Sequence, residues 1–224
     1  MGIRRSTLAG FEATCAAVSV GADTLDLWHV AELERHVDRR ALLAADDAPE
    51  PPYWAHLWSG ALLLAAAVPP GARTAIELGC GLGLPGLAAA RRGARVVLLD
   101  RVTAALVFAR ASAAANGLAA VELVAGDATA PPVRGRFDLV LAAELLYDRA
   151  AFVPLARALA ALVAPGGRVL LADAGRIDTA AFYPALEAAG LAWRASVHRV
   201  REEGLPLEVR LVEATALLAL GTRG

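Results

Sequence analysis

The stretch Ala75-Ile-Glu-Leu-Gly-Cys-Gly-Leu-Gly-Leu-Pro-Gly86 narrows what this chain can fold into more than any other. Residues 74–78 are an apolar run of the length of a buried strand. Gly79, Gly81 and Gly83 then mark a turn, because glycine takes positive φ and lets a ligand come close to the backbone. An Ala/Leu helix follows, from near Pro85, a residue suited to a first helical position, to about Arg92. A strand, a glycine turn and a helix with free N–H groups at its start make a floor for a nucleotide-like ligand.

Three readings are open at this point. Gly81-Leu-Gly83-Leu-Pro-Gly86 fits the G-x-G-x-x-G dinucleotide pattern. The longer Glu77-x-Gly79-x-Gly81-x-Gly83 resembles motif I of class I methyltransferases, which bind S-adenosylmethionine (SAM). Either match is also compatible with a glycine-rich turn in some other α/β protein. The context along the chain has to decide.

At 224 residues the chain has room for one α/β domain with a full core. A hydrophobic fraction of 57% against 20% charged residues excludes a disordered chain. The net charge of -1, without a basic tail, speaks against a nucleic-acid binder. Cys15 and Cys80 lie far apart without metal spacing, so no disulfide framework and no metal site are expected. Residues 1–14 lack the continuous apolar segment of a signal peptide. The apolar run around residues 61–68 is too short to span a bilayer. These features predict a soluble cytoplasmic protein with no membrane or nucleic-acid partner.

Residues 1–48 read as an N-terminal extension that packs on a core of residues 49–224, the whole forming a single domain. Within the extension, residues 24–30 alternate like a strand and residues 31–45 are compatible with a helix. His29 and His36 would share a helical face only if that helix reached both, and they read as surface residues. The breaker cluster at residues 46–52 marks the junction. Pro52-Tyr-Trp-Ala-His-Leu-Trp-Ser-Gly60 then concentrates aromatic side chains in a chain that has few. It reads either as a staple over the sheet or as a lid on a cleft, for which Tyr and Trp offer broad apolar faces and one polar handle. A helix over residues 59–68 follows.

After the glycine turn, residues 94–100 form a second apolar strand that ends in Asp100. An acid there is placed to hold ribose hydroxyls, or else to cap the helix expected over 102–116. A third strand over 120–127 ends in Asp127, which either accepts from an adenine amine or serves a turn. A fourth over 136–144 ends in Glu144-Leu-Leu-Tyr147, where ligands bind in open α/β sheets. A helix over 149–163, a stop at 165–167, a strand over 168–173 and a helix capped by Asp178 or Thr179 come next. Two apolar-rich segments, 193–200 and 207–213, read as an antiparallel hairpin closing the sheet.

This order resembles the class I methyltransferase fold: α/β, a Rossmann-like, seven-stranded, mostly parallel sheet with helices on both faces and a C-terminal antiparallel hairpin. An NAD-binding Rossmann domain would continue into a separate substrate domain, for which no chain remains. The resemblance spans residues 50–215. Within the class the chain is similar to the protein-lysine and predicted nicotinamide N-methyltransferases, and most of all to the bacterial type that methylates lysines of the electron-transfer flavoprotein β-subunit. Pro52-Tyr-Trp-Ala-His-Leu-Trp-Ser-Gly60, Glu144-Leu-Leu-Tyr147 and Ala172-Asp-Ala-Gly-Arg176 carry that likeness. The chain departs from it in having Glu144 where the family usually has Asp, and in lacking a second glycine after Gly60.

The resemblance implies SAM as cofactor. It places Gly79, Cys80, Gly81 and Gly83 under the methionine moiety, Glu77 at its amino group, Asp100 at the ribose and Asp127 at the adenine. Arg101, Ala128, Trp58 and Glu144 complete the implied cofactor set. Glu144 and Tyr147 are the expected catalytic residues, orienting an amine that attacks the methyl group in line. Tyr53, Trp54, His56 and Tyr147 are the expected acceptor contacts. A protein lysine, a small pyridine-like or natural-product amine, and a non-catalytic module that kept the fold are the three functional readings. Intact SAM contacts argue against the last.

Overall fold

Among the described residues from Thr74 onward, the apolar runs expected as strands and helices build one sheet-centred core. In the computed structural model, which describes residues 4–36 and 52–217, the strands sort into two sheets. The first is an antiparallel meander of β1 (Arg4–Leu8), β2 (Phe11–Val20) and β3 (Asp23–Val30). The second has seven strands: β4 (Thr74–Leu78), β5 (Arg95–Asp100), β6 (Val121–Ala125), β7 (Phe137–Ala143), β8 (Val163–Asp173), β9 (Leu191–Glu202) and β10 (Leu205–Ala216). Their order is β6-β5-β4-β7-β8-β10-β9. The pairings among β4 to β8 are parallel, and β10 runs antiparallel to both β8 and β9. The expected seven-stranded sheet and closing hairpin are both present.

The central strands are buried on both faces, which is why they read as continuous apolar runs. Leu139, Leu141, Leu170 and Ala172 face one core. Val140, Ala142, Val169 and Leu171 face the other. Helices α1 (Ser59–Ala67), α2 (Leu84–Arg91) and α3 (Thr103–Ala115) lie against the first core. Helices α4 (Phe152–Leu162) and α5 (Phe182–Ala188) lie against the second.

The N-terminal sheet packs on α3. Trp28 N–H donates to Ser112 Oγ at 2.9 Å. Asn116, just past the end of α3, accepts from Asp26 N–H at 3.0 Å and donates to Asp26 O at 2.7 Å. The residue expected to stop a helix therefore also satisfies both backbone groups of a strand residue, which would otherwise need water.

Four local expectations change. The N-terminal region holds three strands rather than one. Ala, Ser, Thr and Cys dominate β2, so its alternation has little hydrophobic contrast, and the tight turn at Ala9-Gly10 (φ 49° and 84°) sets its pairing with β1. His29 lies in β3 and His36 in a short 3-10 turn, Leu33–His36, so no helical face joins them. The rest of the expected 31–45 helix and the breaker cluster before Pro52 lie outside the described residues. Strand β8 starts at Val163, through the expected stop, because a register shift between Phe137 and Leu139 accommodates Pro165 to Gly167. Neither Asp178 nor Thr179 caps α5; Asp178 accepts from Ala180 N–H, and the Thr179 hydroxyl donates to Asp173.

Candidate active site

The strand order reverses between β4 and β7: β5 and β6 lie to one side, β7 and β8 to the other. Such a switch point leaves a crevice at the C-terminal ends of the strands. Here it is a cavity of about 1080 Å³, with walls from the loops after β4, β5, β6, β7 and β8 and from the segment before α1.

The glycine turn forms the floor. Gly79, Gly81 and Gly83 all have positive φ, at 57°, 52° and 79°. At Gly81 a side chain is excluded twice over, by conformation and by space: an added Cβ would stand 2.9 Å from Trp54 O. Cys80 donates its N–H to Leu99 O at 2.9 Å and is buried, and burial pushes its thiol well above the usual range. A neutral, enclosed thiol is no nucleophile.

Glu77 sits beneath the turn, 1% exposed, and its Oε2 accepts from Gly86 N–H at 2.8 Å. Burial pushes its carboxyl up to about 8, so the group is protonated at neutral pH. Asp100, at the end of β5, ties the turn to the next helix: Oδ2 accepts from Gly81 N–H and Oδ1 from Val102 N–H, both at 2.8 Å. The capping geometry is thus real. It does not compete with a ligand role, because an ionised carboxylate has about four acceptor sites. Burial raises the Asp100 carboxyl while these two donors oppose the rise.

Asp127 is exposed, after β6, and its Oδ1 accepts from both the N–H and the hydroxyl of Thr129 at 2.7 Å. Those donors hold its carboxyl below the usual range. Asp127 serves its turn and remains ionised on the cavity wall. Arg101 and Ala128 line the same side.

Glu144 and Tyr147 come from the loop after β7. Glu144 takes a left-handed backbone conformation, φ 56°, an uncommon one for a side chain of this size. Its side chain is 7% exposed, with Oε2 held by Arg176 Nε at 3.4 Å and Ala174 N–H at 3.4 Å. Its Oε1 is buried and has no hydrogen-bond partner among the described residues. Burial raises its carboxyl, with Arg176 opposing the shift. Tyr147 is 55% exposed at the cavity wall.

The aromatic segment divides between its two readings. Trp54 is a staple, with its ring 5.6 Å from Phe11 and 5.3 Å from Phe108, and its backbone against Gly81. Tyr53, His56 and Trp58 stand at the mouth: the Trp58 indole donates to Tyr53 O at 3.0 Å, and its ring meets His56 edge-on at 4.2 Å. The structure brings every residue expected to bind the cofactor, bind the acceptor or act in catalysis to one cavity. It adds Arg176, which sequence reasoning quoted as a motif residue without a role, Phe11, for which no local signal existed, and His36, which was read as a surface residue.

The residues fit SAM. The floor excludes a Cβ at Gly81, two acids stand on the β5–β6 side for hydroxyl and amine donors, and Glu144 lines the wall after β7.

Comparison with known proteins agrees. Residues 75–167 match the family described as a methyltransferase domain. The chain is 33% identical over 128 residues to the mouse protein N-lysine methyltransferase METTL21A, covering 52% of this chain and 58% of the relative. It is 44% identical over 134 residues to the ribosomal protein L11 methyltransferase of Pelotomaculum thermopropionicum, covering 58% of this chain and 41% of the relative. The chain thus spans about half the length of the curated relatives it matches. Among solved structures, the glycopeptide N-methyltransferase MtfA in complex with SAM shares the fold, with TM-score 0.56 and 19% identity over 70% of this chain and 93% of that one.

Proposed function

We propose that this chain, which carries a class I SAM-dependent methyltransferase domain, transfers the methyl group to a nitrogen and that the nitrogen belongs to a protein lysine. The carrying observation is the Glu144 carboxylate on the cavity wall after β7, beside Tyr147, with Oε2 held by Arg176 and Ala174 and Oε1 packed against Gly60 without a hydrogen-bond partner among the described residues.

When bound, SAM supplies an already activated methyl group. The residues around it position and exclude. Asp100 and Asp127 hold the ribose and adenine ends, and the glycine turn lies under the methionine portion. Tyr53, His56 and Trp58 keep water from the mouth. Glu144 accepts an N–H of the acceptor and so aims its lone pair, and Tyr147 contacts the same nitrogen. Positioning of this kind accounts for most of the rate that such a transfer needs. A lysine amine starts near pKa ~10.4, so it must enter neutral; a buried carboxylate with a raised pKa is suited to take the proton that the methylated nitrogen then carries.

The lysine assignment draws on relatives whose names describe protein methylation. A small-molecule amine is the second reading, favoured by the aromatic mouth, which suits a flat ring. The two free, buried cysteines go with a cytoplasmic, reducing location. The clamp of Asn116 on β3 supports treating residues 1–48 and 49–224 as one folding unit.

The test is to add the purified protein and methyl-labelled SAM to a cell lysate. Label recovered as methyl-lysine from a protein band is the expected result. Label confined to small molecules replaces lysine with the second reading. An absence of both, with SAM still bound, removes the nitrogen assignment in that lysate's chemistry, and an absence of SAM binding removes the enzyme reading.

A further inference from the structure

The acceptor end of the cavity already holds a cation. Arg176 Nε stands 3.4 Å from Glu144 Oε2. One of its terminal nitrogens donates to both oxygens of Glu202, at 2.7 and 3.0 Å. Its guanidinium lies 4.4 Å over the ring of Trp58. Segments from the end of β7, the end of β9 and the approach to α1 therefore converge on one side chain.

The bridge is held at its far end too. Glu202 Oε2 accepts from Ser59 N–H at 3.0 Å, at the start of α1. That helix has no side-chain cap of its own, because Trp58 stands at the N-cap position. Arg176 cannot leave Glu144 without also unpairing Glu202 and uncovering the face of Trp58. The other titratable groups on this wall are Asp173 at the end of β8, His56 against the ring of Trp58, and Tyr147 and Asp148 on the loop after β7.

We propose that Arg176 is a positioning residue that makes this site select an acceptor nitrogen in its neutral form. It fixes the Glu144 carboxylate, occupies the Trp58 face where a protonated ammonium would otherwise settle, and opposes a second positive charge at the transfer point. The inference rests on the reading that the cavity binds SAM and delivers its methyl group to nitrogen.

Two SAM analogues test it by binding alone. Sinefungin carries a primary amine where SAM has its sulfonium methyl, and S-adenosylhomocysteine carries neither. Calorimetry on the full chain compares wild type, Arg176→Met and Arg176→Lys. The ratio of sinefungin affinity to S-adenosylhomocysteine affinity should rise about tenfold in Arg176→Met and return towards wild type in Arg176→Lys. An unchanged ratio in Arg176→Met, with S-adenosylhomocysteine still bound, overturns the proposal. If the wild type binds neither compound, the SAM reading itself fails and takes the inference with it. Should Arg176→Met not fold or not bind S-adenosylhomocysteine, the wild type decides. Its ratio must rise from about pH 7 to about pH 10, as the amine loses its proton, and a flat or falling ratio overturns the proposal.

Discussion

Gly60 and Glu144 share one space: a Cβ on Gly60 would fall well inside van der Waals contact distance of Glu144 Oε1. Gly60 lies in the first turn of α1, where an alanine would ordinarily stabilise by about 0.5–1 kcal/mol. Gly60→Ala should forfeit that gain, because the carboxylate must move away from Arg176 and Ala174. The expected outcome is a melting temperature close to wild type, with methyl transfer reduced at least about tenfold. A variant that is more stable and fully active would show that the carboxylate has room elsewhere.

In the proposed reading, Glu144 and Tyr147 divide the work at the acceptor. Glu144→Ala should lower turnover by about 10²-fold or more, and Tyr147→Phe by less, with S-adenosylhomocysteine affinity within a few-fold of wild type. Normal turnover in both variants, alongside normal SAM binding, would remove them from the catalytic machinery.

Asp100 joins the glycine turn to the start of α3 through Gly81 and Val102. Asp100→Ala should weaken SAM binding by at least about tenfold, through lost charge-assisted hydrogen bonds of about 1.5–3 kcal/mol. Isothermal titration is the check, and unchanged affinity would reject the ribose role.

Glu77 imposes a pH dependence with a definite sign. Its folded carboxyl titrates at about 8, above the ordinary glutamate range. Between the two values the folded chain keeps a proton that the unfolded chain has released, so stability falls as pH rises and levels off once Glu77 ionises. Glu77→Gln keeps an oxygen to accept from Gly86 and removes the titration. Without ligand, wild type should lose at least about 1 kcal/mol more than Glu77→Gln between about pH 5 and pH 9. Parallel denaturation curves at both pH values would refute this.

Asn116→Ala should leave both backbone groups of Asp26 without their side-chain partner. A loss of about 1–3 kcal/mol follows, or a fall of about 2–10 °C in melting temperature, with S-adenosylhomocysteine affinity unchanged. Loss of binding in step with stability would mean that the N-terminal sheet reaches further into the site than its contacts indicate.

Much of the site was legible because its residues sit at strand ends. Glu77, Asp100 and Glu144 each lie in or directly after an apolar run, and the run predicts the strand whose end delivers the acid. Asp127 follows β6 by the same logic. What stayed illegible was partnership. Nothing near Trp54 indicates that it staples to Phe11 while its neighbour Trp58 faces the mouth. The strand β2 was missed because small residues blur its period-two pattern, whose inward positions Phe11, Ala13 and Cys15 change phase to Val18 and Val20.

From Thr74 onward the sequence by itself determined the succession of strands and helices, the glycine floor and the acids around it, because each depends on neighbours a few positions away: hydrophobic period, backbone freedom and helix stops. Only the tertiary structure decided that Arg176 meets Glu144 and Trp58, that Glu202 reaches across 143 positions to Ser59, and that Asn116 reaches across 90 to Asp26. Those pairings arise when buried polar groups need partners once the core has closed, and the geometry that supplies each partner exists only after folding.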